Sequence, residues 1–156
     1  MPFDDTSMPS PPELRSCYSK VERVVYVGRM FDKIRLHTAG RLPSPYVPNL
    51  GKGFDARACA FLRVNYEDLQ VVVLSGASDD AVLGWGWDKS GRRTDEECEV
   101  WNFFMIKRGW RDASTPTLRQ RIGEYGLTGK VIETWFDLND YDEGRDPVVA
   151  RSWENC

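Results

Sequence analysis

Apolar side chains recur along this chain at helical spacing, and residues that cap helices stand just before the recurrences. Asn65, Ser78, Thr94 and Thr115 each precede such a stretch, where a side-chain oxygen can satisfy orphan backbone amides. The clearest instance is TDEECEVWNFFMIKRG. Thr94 and Glu97 make a capping box, Asp95 and Glu96 suit the positive helix start, and Lys107 and Arg108 suit its negative end before Gly109. Cys98, Trp101, Phe104, Met105 and Arg108 fall on one wide face for burial. A second helix is expected from Thr115, with Pro116 in its first turn, Leu118, Ile122 and Tyr125 on one side, and Gly126 as its stop.

YEDLQVVVLSG, residues 66–76, reads as a helix after the Asn65 cap, although its β-branched triplet also suits a buried strand. Residues 79–89 hold Gly84 and Gly86, which together cost a helix roughly 2 kcal/mol against alanine, so a helix there depends on packing by Trp85 and Trp87. No strong alternation, Asn-Gly hairpin or repeat is present, and the expected fold is all-α, or mostly helical. Four prolines among the first twelve residues block regular structure, so residues 1–12 are expected as a flexible arm and 13–156 as a single compact multi-helix domain.

Composition narrows the function classes. The net charge of −3 argues against wholesale attraction to nucleic acid or anionic lipid, so any basic site has to be local. No apolar run approaches the roughly 20 residues of a spanning helix, and the acidic N-terminus lacks a signal peptide's apolar stretch; a cytoplasmic protein with no membrane partner is expected. Cys17, Cys59, Cys98 and Cys156 lie far apart without metal-ligand spacing, and Cys59 and Cys98 read as buried apolar groups. No metal or cofactor is expected: GWGWDKSG lacks the dinucleotide spacing, and DLNDYDEGR lacks the calcium-loop register. Loose divalent binding by Asp137, Asp140 and Asp142 competes there with a solvated acidic turn.

The chain's one histidine stands in RMFDKIRLHTAGR, a segment unusually dense in charge. On a helix, Arg29, Lys33, His37 and Arg41 form one basic stripe if the helix continues past Gly40, with Asp32 in reach of Arg29 and Arg35, and with Met30, Phe31 and Ile34 facing the core. Two readings stand side by side. In one, the stripe is an anion site, with His37, Asp32 and Lys33 as acid–base groups and Arg29 and Arg35 holding a carboxylate or phosphate. In the other it is a solvated helix face with His37 near the negative helix end. In LGKGFDAR, Lys52 lies between two glycines ahead of Asp55 and Arg57; the segment is either a backbone nest joining the same anion site or a loop capped by Asp55. Trp101 is the candidate aromatic wall of a cleft beside the stripe, against a plain core role.

RMFDKIRLHTAGRL, NLGKGFDAR, VWNFFMIKRGWRD and DLNDYDEGR resemble a bacterial family catalogued as domain of unknown function 5069, over about Arg15 to Arg145. In that family an Arg-Met-x-Asp-Lys core with a following Arg recurs, matching Arg29, Asp32, Lys33 and Arg35 here, while the histidine belongs to a subgroup. The resemblance implies a small, predominantly helical single domain and brings no activity with it. The expected function is a small helical enzyme or binding domain for an anionic small molecule, by acid–base chemistry if it is an enzyme. The alternative is a non-catalytic protein-interaction module that uses the basic stripe and the arm. Nucleic acid ranks last as a partner.

Overall fold

The computed structural model describes residues 13–155, and the expected arm, residues 1–12, lies outside the described residues. The protein is mostly helical and compact. Its helices are α1 (Val27–Thr38), α2 (Phe54–Leu62), α3 (Tyr66–Leu74), α4 (Asp79–Ser90), α5 (Asp95–Lys107), α6 (Thr115–Glu124), α7 (Trp135–Asp142) and the single turn α8 (Pro147–Ala150). The described residues also hold an antiparallel hairpin, β1 (Lys20–Val21) and β2 (Val24–Val25), too short to show alternation in the sequence.

Helix α1 is the axis of the core. Nine of its twelve residues are buried, Arg29, Asp32 and Lys33 among them, so those charges must find partners inside the protein. Met30, Phe31 and Ile34 face the core as expected. Packed against the helix are α2, α3 and β1, while α4 packs on α3 and α5 bridges β2 and α7. The helix ends at Thr38 and Gly40 turns the chain at φ +70°, so the stripe stops at His37. Arg41 leaves it and pairs with Glu13.

Most caps are where the sequence puts them. Asn65, Ser78 and Thr94 cap α3, α4 and α5, with the capping box of Thr94 and Glu97 intact. Thr115 does not cap: it is already inside α6, and its hydroxyl donates to the Gly109 carbonyl at 2.7 Å. On α5, Cys98, Trp101 and Met105 are buried, but Phe104 remains largely exposed. Despite its glycines α4 is a full helix, with Trp87 packed edge-on against Phe61 and Gly86 lying close to Val64. Cys17, Cys59 and Cys98 are buried free thiols.

On the side of α1 facing α4, Arg15 bridges Asp32 at 2.8 Å and Asp79 at 2.6 Å, and Arg35 bonds Asp79 at 2.9 Å. Gly28 permits this. A β-carbon there would stand 2.8 Å from the Arg15 guanidinium carbon, and Arg15 donates to the Gly28 carbonyl. Asp32 therefore ties Arg15, and through it α4, to α1 and does not orient Arg29, which turns toward Glu143.

Helix α7 replaces the expected acidic turn. Asp137 accepts from the Tyr18 hydroxyl at 2.6 Å and pairs with Arg151, while Asp140 accepts from Ser16 at 3.0 Å and lies 3.5 Å from Arg145. These carboxylates are structural anchors, buried with partners. No helix among the described residues is long and apolar enough to cross a membrane.

Candidate functional site

Opposite the Arg15 ladder, a cavity of about 830 Å³ opens between α1, the 44–54 segment, the end of α5, α6 and α7. That volume lies in the range typical of small-ligand pockets. Arg29 and Lys33 reach its floor from α1, one helical turn apart. The 3-10 turn Ser44–Asn49 contributes Tyr46, and the glycine-flanked loop contributes Lys52, so the loop folds against the stripe. Arg57, Arg108 and Arg121 complete a ring of six cationic residues, with Asp142 and Glu143 as the acidic ones. In a protein of net charge −3, this is a marked local inversion of sign.

The floor consists of two bonded sets. Arg29 grips Glu143 in a two-pronged pair at 2.8 and 2.6 Å, and Glu143 also accepts from Tyr46 at 2.7 Å and from Arg145 at 2.5 Å. Burial pushes the Glu143 carboxyl up, but Arg29 and Arg145 prevail and hold it below its ordinary value. In the second set, Lys33 Nζ lies 2.8 Å from Asp55 Oδ1 and 3.0 Å from the Tyr26 hydroxyl, which itself donates to Asp55 at 2.5 Å. Burial drives the Lys33 amine below its ordinary value even with Asp55 pulling the other way. Burial and Asp55 together hold the Tyr26 hydroxyl well above its own.

Asp55 does not cap α2. It sits in the first turn, wholly buried, and its second oxygen accepts from the Gly51 amide at 3.0 Å. Gly51 is required on two counts: its φ is +75°, and a β-carbon would meet the Tyr66 ring at 2.9 Å. With Asp55 turned inward, the cap position falls to Gly53, which supplies no side chain. Gly53 and Phe54 line the cavity, and their amides have no acceptor among the described residues.

The rim is less committed. Arg108 is 3.3 Å from Asp112, and Arg121 is 2.7 Å from Glu124. Lys52 and Arg57 have no ion pair among the described residues, and Arg57 lies only over the Phe104 ring. Tyr26, Phe54, Tyr125 and Trp135 supply aromatic walls.

Of the residues singled out by sequence, Arg29, Lys33, Lys52 and Arg57 thus meet at one cavity, with Asp55 bonded beneath it. Asp32 and Arg35 are engaged away from the cavity, Asp32 by Arg15 and Arg35 by Asp79, and neither lines it. His37 is exposed in the last turn and does not line the cavity. Trp101 is a core residue that stacks on Phe61 at 4.8 Å and donates to the Val25 carbonyl. Sequence reasoning missed Tyr26, Tyr46, Arg121, Trp135 and Glu143. The last lies within the quoted DLNDYDEGR but escaped notice because its partner Arg29 is 114 residues away.

Asp140, behind the floor, has a pH consequence. Burial pushes its carboxyl up to about 6, outweighing the Ser16 hydrogen bond and the charge of Arg145. The folded state then holds this proton more tightly than the unfolded chain, whose carboxyl titrates near 4. The stability contributed by Asp140 is complete below about pH 4 and is lost as pH rises through about 6, a swing of roughly 2–3 kcal/mol. Urea unfolding of wild type and Asp140→Asn at pH 4 and pH 7 should show the variant lacking this part of the decline.

The fold and site define a class: a small, mostly helical domain built around one cation-lined, aromatic-walled cavity. The chain belongs to the family described as Domain of unknown function (DUF5069), which residues 12–145 match. That span covers every residue lining the cavity. No curated protein matches the chain.

Proposed function

We propose that the protein binds a small anionic molecule, a carboxylate or phosphate, in this cavity, and that any reaction it carries out takes place at the Lys33–Asp55–Tyr26 set. The observation that carries this reading is the pair of unpaired cations, Lys52 and Arg57, beside the free amides of Gly53 and Phe54 on one wall. An anion bound there gains charge-assisted hydrogen bonds from groups that have no internal partner to give up. Arg29 serves differently. Its charge is met by Glu143, so it shapes the floor and presents a fixed edge.

Half-burial of the stripe favours an inward-facing ligand over the interaction-module alternative. Arg29 and Lys33 are buried, and only His37 is left exposed for a partner's surface.

Isothermal titration calorimetry with inorganic pyrophosphate and citrate tests the reading. Lys52→Met with Arg57→Met should weaken binding at least about tenfold, since each charged hydrogen bond contributes roughly 1.5–3 kcal/mol. Added salt should weaken it further. Equal affinity in the double variant, or equal binding of an uncharged sugar, would sink the proposal.

A further inference from the structure

Lys33 is an unusual residue for the floor of a cavity. Its side chain is 9% exposed, it lines the space, and among the described residues its amine bonds to the polar side chains of Tyr26 and Asp55 alone. A buried ion pair stabilises a fold weakly compared with an apolar pair of similar size, so packing alone gives little reason for a lysine here. Tyr26 adds a second oddity. It precedes α1 at φ 76°, ψ −35°, a region costly for a residue with a β-carbon, and so its hydroxyl is held between Lys33 and Asp55 at the expense of backbone strain. Strain of this kind is concentrated where geometry serves chemistry.

We propose that Lys33 is a covalent site, its Nζ forming an imine with the aldehyde or ketone carbonyl of a small carboxylate or phosphate held in the cavity. The inference rests on the anion-site reading and deepens it by naming the substrate class. Asp55, 2.8 Å away, takes a proton from the ammonium and frees the lone pair. Nitrogen adds to the carbonyl carbon, the C=O pair moves onto oxygen, and that oxygen takes a proton from the Tyr26 hydroxyl, which recovers one from Asp55. A second proton passes from nitrogen to the hydroxyl, the C–O bond breaks, water departs and the protonated C=N remains. One ammonium and one carbonyl give one iminium and one water, with no oxidant or reductant. The lowered basicity of the buried amine supports this role. Lys52 and Arg57 at the rim would hold the anionic end while the carbonyl reaches Lys33.

The test is reductive trapping. The intact protein is incubated with pyruvate, glyoxylate or glyceraldehyde 3-phosphate and cyanoborohydride, then mapped by peptide mass spectrometry. At least one probe should load Lys33 about tenfold above the exposed Lys20, Lys52, Lys89, Lys107 and Lys130, a selectivity expected for an amine with depressed basicity in an anion-binding cavity. Lys33→Arg should lose the adduct while still binding inorganic pyrophosphate; the wild-type map decides the matter if that variant does not fold. Lys33 loaded no more than the exposed lysines overturns the inference. Calorimetry with pyrophosphate separates the two readings: retained binding without the adduct overturns the imine alone, and loss of both overturns the anion site beneath it.

Discussion

Arg29→Met is expected to lower the free energy of unfolding by about 3–5 kcal/mol, because it leaves the Glu143 carboxylate buried with less than its full set of partners. Both side chains are only 5% exposed, and two of the four short contacts to Glu143 come from Arg29. Arg145 and Tyr46 remain but cannot occupy the vacated edge. For a domain of this size the loss corresponds to a melting temperature lowered by roughly 10 °C. Arg41→Ala is the control. The Arg41–Glu13 pair has 57% and 31% exposure and should contribute no more than about 1 kcal/mol. Urea unfolding at neutral pH measures both; equal effects from the two variants would mean that Glu143 is solvated in solution and that the floor is not a closed network.

The contrast between these two arginines shows what a linear pattern can carry. Spacing placed Arg29, Lys33, His37 and Arg41 on one line, and the helix indeed runs through the first three. Spacing is silent on depth, however. The line starts in the core at Arg29, passes the cavity floor at Lys33 and emerges at His37, because α1 crosses the core and then leaves it. The capped helices α3, α4 and α5 were legible because their signals are local, within three residues of the cap. Glu143 and Tyr46 were not, since each acquires its role from a partner far along the chain. Asp55 shows a local signal misleading. Asp after Gly ahead of an apolar run suggests a cap, but the buried Lys33 competes for the carboxylate and turns it inward. The Gly53 and Phe54 amides beside it have no acceptor among the described residues, and they lie on the same cavity wall.

Lys33→Met should cost about 3–5 kcal/mol for the same reason as Arg29→Met, with Asp55 now the stranded group. Asp55 is wholly buried and keeps only the Tyr26 hydroxyl and the Gly51 amide as donors. Asp55→Asn strands Lys33 in turn, though the amine can escape part of the penalty by giving up its proton. Lys33→Met with Asp55→Asn should therefore cost less than the sum of the singles, with a coupling of about 1–3 kcal/mol in a urea double-mutant cycle. Strict additivity would show that the pair is not formed in solution. The double variant also separates stability from binding. It removes one charge of each sign, so the net charge of the cavity and the free cations Lys52 and Arg57 are untouched. Pyrophosphate affinity should then stay within a few-fold of wild type, while adduct formation at position 33 is impossible. A tenfold loss of pyrophosphate binding in this folded protein would instead make Lys33 a direct anion ligand, in which case its ion pair with Asp55 opens when the ligand arrives.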